Sequence, residues 1–136
     1  MPERHVVDTF VTLVESGRFI EALQRYYHPS AVVWENQQKS RIGLDALIEN
    51  EQLVLNTFTT VKGHAVQVMV DDDHVVIQWH FEFANDAARL SLDEIAVQQW
   101  ADGKIVHERF YYDPAQLRPE SARPAAADTA QEAVSS

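Results

Sequence analysis

The sequence predicts an α+β domain in which three N-terminal helices close one side of a curved antiparallel or mixed sheet. Apolar residues recur at helical spacing before Phe58, and from Phe58 onward they alternate with period two. The stretch from Ala88 to Pro114 adds a third observation. It reads as two long strands joined at Ala101-Asp102-Gly103, a turn with glycine where a positive φ is wanted. On the first of these strands Leu90, Leu92, Glu94, Ala96, Gln98 and Trp100 share one face. Ser91, Asp93, Ile95, Val97 and Gln99 share the other. Carboxylates among apolar residues on both faces suggest a covered, partly polar pocket and not a plain core.

The elements follow in order. Val6, Val7, Phe10, Val11 and Val14 give a helix over His5 to Glu15, stopped by Ser16-Gly17. Phe19, Ile20, Leu23, Tyr26 and Tyr27 form the stripe of a second helix, ending near His28-Pro29. Ala31 to Glu35 reads as a short strand, and Asn36 to Ile42 as polar and irregular. A third helix opens at Gly43-Leu44-Asp45 and runs to about Asn56. Val66, Val68 and Val70 alternate with Gln67 and Met69 in the next strand, and Asp71-Asp72-Asp73 forms a charged turn. Val75, Ile77, Trp79, Phe81 and Phe83 then alternate with Val76, Gln78, His80, Glu82 and Ala84. A loop spanning Asn85 to Ala88 would set Phe83 against Leu90, Phe81 against Leu92 and Trp79 against Glu94; a slip of one residue exchanges the faces. Residues 1–114 are expected to form one domain. Residues 115–136 are expected to be a disordered tail, because from Arg118 on the chain is rich in Ala, Pro, Ser and Glu with almost nothing to bury.

Composition narrows the function classes. The chain of 136 residues is 46% hydrophobic and 24% charged, ordinary for a soluble globular domain large enough to bury a core. No apolar run suggests a membrane span, and MPERHVVDTF lacks a signal pattern, so the expected compartment is the cytoplasm. The net charge of -10, with Lys39, Lys62 and Lys104 scattered, argues against nucleic acid and anionic membranes as partners. With no cysteine there is no disulfide, thiolate metal site or cysteine nucleophile. His5, His28, His64, His74, His80 and His107 lack ligand spacing and no HExxH pattern occurs, so no metal is expected. Four glycines offer no phosphate-binding loop, and no cofactor is expected.

Tyr26-Tyr27-His28-Pro29 at the end of the helix pair, the strand AVVWEN, Ile42-Gly43 and the final hairpin ending DGKIVHERFYYDP together resemble the SnoaL-like branch of the nuclear transport factor 2-like superfamily, over about Arg4 to Pro114. The resemblance implies a cone-shaped α+β fold, with a strongly bent sheet around a pocket and an outer sheet face that forms a homodimer. The superfamily includes ketosteroid isomerases, polyketide cyclases, limonene-epoxide-type hydrolases, dehydratases and non-enzymatic binding modules, and fold alone does not choose among them. By this resemblance the isomerase's general base falls on Glu35. Its oxyanion tyrosine and aspartate fall near Val11 and Ala96, so two of three members are missing. The last-strand aspartate of the cyclases and epoxide hydrolases falls on Phe110.

Several residues are candidates for chemistry. Glu35 beside Trp34 would be desolvated at a pocket mouth and usable as a base or acid; its plain alternative is a carboxylate paired with an arginine such as Arg41. Glu94, among Leu92, Ala96 and Trp79, either serves a ligand or pairs with a basic residue such as Arg109. If Ala101 to Gly103 is a three-residue loop, Glu108, Phe110 and Tyr112 share the Glu94 face. Tyr112 would then give a hydrogen bond to a ligand oxygen, or pack in the core with its hydroxyl satisfied. His80 and Asp93 fall on the opposite face, where a His–Asp pair suggests acid–base work or, on a face that meets a second subunit, the favoured reading of a structural pair. Glu51, on the third helix, either reaches the pocket or is solvated. The resulting expectation is a cofactor-independent pocket enzyme moving protons on a small apolar, oxygen-bearing ligand, in isomerase, dehydratase or cyclase-like chemistry. Glu35, Glu94 and Tyr112 would be catalytic, with Trp34, Glu51, Trp79, Glu108 and Phe110 at the ligand. The alternative is a non-catalytic binding or dimeric interaction module.

Overall fold

Val7, Phe10, Val11 and Val14 fall on one side of a helix, and burying that stripe sets the first element of the computed structural model, which describes residues 2–118. This helix, α1 (Arg4–Glu15), turns into α2 (Phe19–Tyr26). There follow β1 (Tyr27–Glu35), β2 (Arg41–Ile42), α3 (Leu44–Thr57), β3 (Thr60–Asp71), β4 (His74–Ala84), β5 (Arg89–Ala101) and β6 (Lys104–Tyr111). A 3-10 turn over Pro114–Leu117 closes the described chain. The strands form one sheet in the order β2-β1-β6-β5-β4-β3, parallel only between β1 and β6. The helices cover one face. Phe10 meets Trp100 edge-on at 6.0 Å, and Val7, Val75, Ile77 and Ile105 are fully buried around them. Among the described residues no helix is long and apolar enough to cross a membrane.

The α+β architecture and three helices match the expectation, and several local features correct it. Strand β1 begins at Tyr27, not Ala31, because Tyr27 pairs with Ile105 of β6 and leaves the helical stripe it had been assigned to. Arg41 and Ile42, expected to be irregular, pair with Val33 and Val32 as β2. In β3, Ala65 faces Trp79 while Gln67 faces Gln78. Val66 is therefore an extra residue that breaks the alternation and stands 54% exposed.

The β4–β5 register agrees with the sequence: Phe83 faces Leu90, Phe81 faces Leu92 and Trp79 faces Glu94. The loop that sets it is held by Asn85, whose Oδ1 accepts from the backbone N–H groups of Ala87 and Ala88 at 2.9 and 2.8 Å. The β5–β6 turn is tighter than expected. Ala101 pairs with Lys104, leaving only Asp102 and Gly103, both at positive φ (52° and 77°), the geometry whose twist suits a two-residue hairpin. That turn alone would set His107 opposite Gln98. A bulge reverses this. Trp100 faces Ile105 but Gln99 faces His107, so Val106 is inserted, and Glu108 and Phe110 come to face Gln98 and Ala96. Glu108 thus shares a face with Glu94 for a different reason than the three-residue loop supposed.

Order also extends past the expected boundary at residue 114. Asp113 caps the 3-10 turn by accepting from the Ala115 N–H. Gln116 accepts from the Asp93 N–H at 2.8 Å and donates to its carbonyl at 3.1 Å, adding a side-chain clasp to the edge of β5. The rest of the expected tail, residues 119–136, lies outside the described residues.

Candidate functional site

Between the helices and the concave sheet face lies a cavity of about 220 Å³. Period-two alternation supplies the sheet side: Val33 and Glu35 from β1, Trp79, Phe81 and Phe83 from β4, Leu92 and Glu94 from β5, Glu108 and Phe110 from β6. Helix α3 supplies Leu47, Asn50, Glu51 and Val54, the i, i+3, i+4, i+7 positions of one face. Trp79 and Phe81 lie 5.3 Å apart, and Phe81 stacks on Phe83 at 6.0 Å and 26°. Gly63 makes room for this wall: a Cβ there would come within 2.5 Å of the Phe81 ring. No sequence pattern had marked Gly63.

Four carboxyls reach this apolar space, in three different states. Glu35 is engaged on both oxygens. Arg41 Nη1 donates to Oε2 at 2.5 Å, and the Tyr112 hydroxyl donates to Oε1 at 3.0 Å. Glu108 is almost fully buried. It accepts from the Tyr27 hydroxyl on Oε1 and from Gln98 Nε2 on Oε2 at 2.7 Å. Gln98 in turn accepts from the indole N–H of Trp100 at 3.0 Å. Glu94, 9% exposed, makes no hydrogen bond or ion pair among the described residues, and neither does Glu51.

Burial governs the proton affinities. Desolvation pushes Glu94 from 4.5 to about 8, helped by the negative charges of Glu108, Glu35 and Glu51. Glu108 rises less, to about 7, because its two donors favour the charged form against the same desolvation. Glu51 is also raised by burial. Burial, the Glu35 charge and the hydrogen bond to Glu35 push Tyr112 to about 12. Tyr27 is raised well above the tyrosine range by burial and by the charge of Glu108.

Glu35, Glu51, Trp79, Glu94, Glu108 and Phe110 of the sequence candidates therefore converge on one cavity, and two do not. Trp34 faces away from it. Alternation along β1 puts Val33 and Glu35 inward, so Trp34 must point outward, where Arg109 lies over its ring at 4.9 Å and His107 beside it at 5.8 Å. Arg109, offered as a partner for Glu94, sits on that outer face and donates to the Asn36 carbonyl. Tyr112 follows the end of β6 and stands behind the Glu35 carboxyl instead of lining the cavity, so its hydroxyl orients Glu35. His80 Nδ1 and Asp93 Oδ1 lie 2.7 Å apart on the outer face, where a carboxylate of Glu82 is 3.9 Å from the other ring nitrogen. Among the described residues no group of three or more His, Cys, Asp or Glu is placed to hold a metal.

Sequence reading missed the role of Tyr27, Gln98 and Trp100. Gln98 carried a signal, as an amide among apolar neighbours on the inward face. Tyr27 carried none, since its spacing fits the preceding helix.

Comparison with known proteins agrees with this architecture. A candidate SnoaL-like polyketide cyclase from Jannaschia sp. CCS1 superposes with a TM-score of 0.75 at 19% identity, covering 90% of this chain and 95% of that one. A Xanthomonas campestris protein of unknown function with a cystatin-like fold gives 0.73 at 18%, covering 86% and 95%. TerC, co-crystallised with polyporic acid, gives 0.70 at 15%, covering 83% and 92%. No curated protein matches the sequence significantly. The SnoaL-like domain family matches residues 7–108, which run from within α1 to within β6 and include all the carboxyls of the cavity, and the chain belongs to that family.

Proposed function

We propose that the protein is a cofactor-independent enzyme that moves a proton on a small apolar, oxygen-bearing ligand held in the cavity, with Glu94 as the proton carrier. One observation carries this reading: Glu94 is a carboxyl in an aromatic wall with both oxygens free. Burial that pushes it to about 8, so that it keeps its proton at neutral pH, supports a role as general acid toward a ligand oxygen. Donation to a carbonyl, enol or epoxide oxygen leaves Glu94 as carboxylate, which takes a proton back to complete isomerase, dehydratase or cyclase-like chemistry. Glu35 is the weaker carrier because Arg41 and Tyr112 occupy both of its oxygens.

A second reading, a non-catalytic binding module, is favoured by Ala96 and Phe110, apolar residues at positions where enzymes of the superfamily keep catalytic acids. One experiment addresses both. Mass spectrometry of the freshly purified, denatured protein identifies a retained ligand, and NMR titration follows the Glu94 carboxyl. A midpoint well above the ~4.3 of a free glutamate, with turnover of that ligand lost in Glu94→Gln, supports the enzyme. Changed affinity without turnover in either protein supports the module, and a Glu94 midpoint near the free value sinks the proton-carrier role.

The outer sheet face, where Val66 and Met69 stand exposed, is the surface we assign to homodimer formation. Sedimentation measures it; a monomer at micromolar concentration rejects it.

A further inference from the structure

Charge is unevenly distributed around the cavity. Its wall contains Glu35, Glu51, Glu94 and Glu108 but a single cationic side chain, Arg41, already bound to Glu35 at 2.5 Å. Glu108 is satisfied by two neutral donors, Tyr27 and Gln98. Glu51 and Glu94 have no hydrogen-bond or ion-pair partner among the described residues, and Glu94 is more than nine-tenths buried in the cavity wall. Carboxyls left like this in an apolar wall are costly, and each charge disfavours the next. What the described wall lacks is a second cation, beyond the Arg41 that Glu35 already holds. The remaining surface suits one, since Phe10, Phe19, Trp79, Phe81, Phe83 and Phe110 present rings whose negative faces attract ammonium groups.

We propose that the cavity takes a small apolar ligand carrying a protonated amine, with Glu51 as its counter-ion and the aromatic side chains as its walls. The assignment falls on Glu51 because it is the less enclosed of the two free carboxyls, so pairing there desolvates the ammonium less completely than at Glu94. Glu94 stays available for the ligand's oxygen. The same wall excludes carboxylates and phosphates, which would add negative charge where three carboxyls already lack a cation. The inference rests on the reading of the cavity as a ligand site and not on turnover.

Three probes of matched shape test it on the full chain: naphthylmethylamine, naphthylmethanol and naphthoate, titrated by NMR at neutral pH. The ammonium should bind about tenfold more tightly than the alcohol, with naphthoate weakest. Glu51→Gln should bring the ammonium and the alcohol to within about twofold of each other. Equal binding of alcohol and ammonium to the unaltered protein, or no binding by any probe at millimolar concentration, overturns the proposal. A preference for the ammonium that survives Glu51→Gln overturns the assignment of the counter-ion. The proton-carrier reading fails separately, on the titration of Glu94. Loss of amine selectivity with Glu94 still titrating high rejects this inference alone, whereas amine selectivity with an ordinary Glu94 rejects only the other.

Discussion

Replacing Glu94 by glutamine should change how stability depends on pH. Folding raises this carboxyl from 4.5 to about 8, so the unfolded chain ionises where the folded protein still holds the proton. Below 4.5 both states are protonated and nothing is lost. Between 4.5 and about 8 the unfolded state gains by releasing the proton, and stability drains away at up to about 1.4 kcal/mol per pH unit. The deficit is about 1 kcal/mol at pH 5 and roughly 3 kcal/mol at pH 7. With Glu94 only 9% exposed, solvent screening removes little of it. Glutamine keeps the shape and has no proton to lose. The Glu94→Gln protein should therefore gain roughly 2–3 kcal/mol relative to the unaltered chain on going from pH 5 to pH 7. Any constant cost of burying the amide cancels in that difference, and so does the titration of Glu108, which both proteins share. Urea unfolding followed by circular dichroism at pH 5, 6 and 7 measures it. Parallel stability curves for the two proteins would show that Glu94 is not a buried, unpartnered acid, and the account of the site would fall with it.

Two further substitutions probe the surroundings. Tyr27→Phe removes the donor to Glu108 Oε1, leaving one buried oxygen unsatisfied; it should cost about 1–3 kcal/mol at pH 7. The same change should move the Glu108 midpoint upward from about 7, since a hydrogen bond that lowers it is gone, and a downward shift on carboxyl-carbon NMR would contradict the network. Trp34→Ala, on the outer face, should leave binding of naphthylmethylamine within about twofold, whereas a large loss would mean that Trp34 reaches the cavity after all.

Most of the fold was legible because its signals are periodic. The helical stripe of α1 and the period-two run of β4 each bury one face, and the Asn85–Ala88 loop length is enough to align Trp79 with Glu94. Legibility failed where one residue departs from a period. Nothing in composition or spacing marks Val106 as a bulge, yet if it paired in register His107 would stand opposite Gln98 in place of Glu108. Tyr27 continues the stripe of α2 by spacing, and only pairing with β6, a contact remote in sequence, draws it into the sheet. Trp34 is a different case. Neighbours on a strand cannot share a face, so placing both Trp34 and Glu35 at the pocket contradicted an alternation the sequence already displayed. The ion pair of Glu35 with Arg41 was foreseeable in kind, from two opposite charges flanking a short irregular stretch.

The distribution of donors sets the two deep carboxyls apart. An indole N–H can only donate, so Trp100 obliges Gln98 to accept on Oε1 and turns the amide nitrogen toward Glu108. Tyr27 donates to the other oxygen. Glu108 is the more buried of the pair, at 2% exposure against 9%, and by desolvation alone it should be the harder to ionise. The two donors favour the charged form of Glu108 and offset part of its burial, whereas Glu94 has no donor and neighbouring carboxylates add to its burial. Charge retained on Glu108 then raises Glu94 further. The bulge at Val106, which brings Glu108 onto the face of Gln98 and Glu94, therefore does more than adjust a strand. It places a carboxyl held by two donors on the same face as an unpartnered one, and the proposed proton-carrier role of Glu94 rests on that inequality.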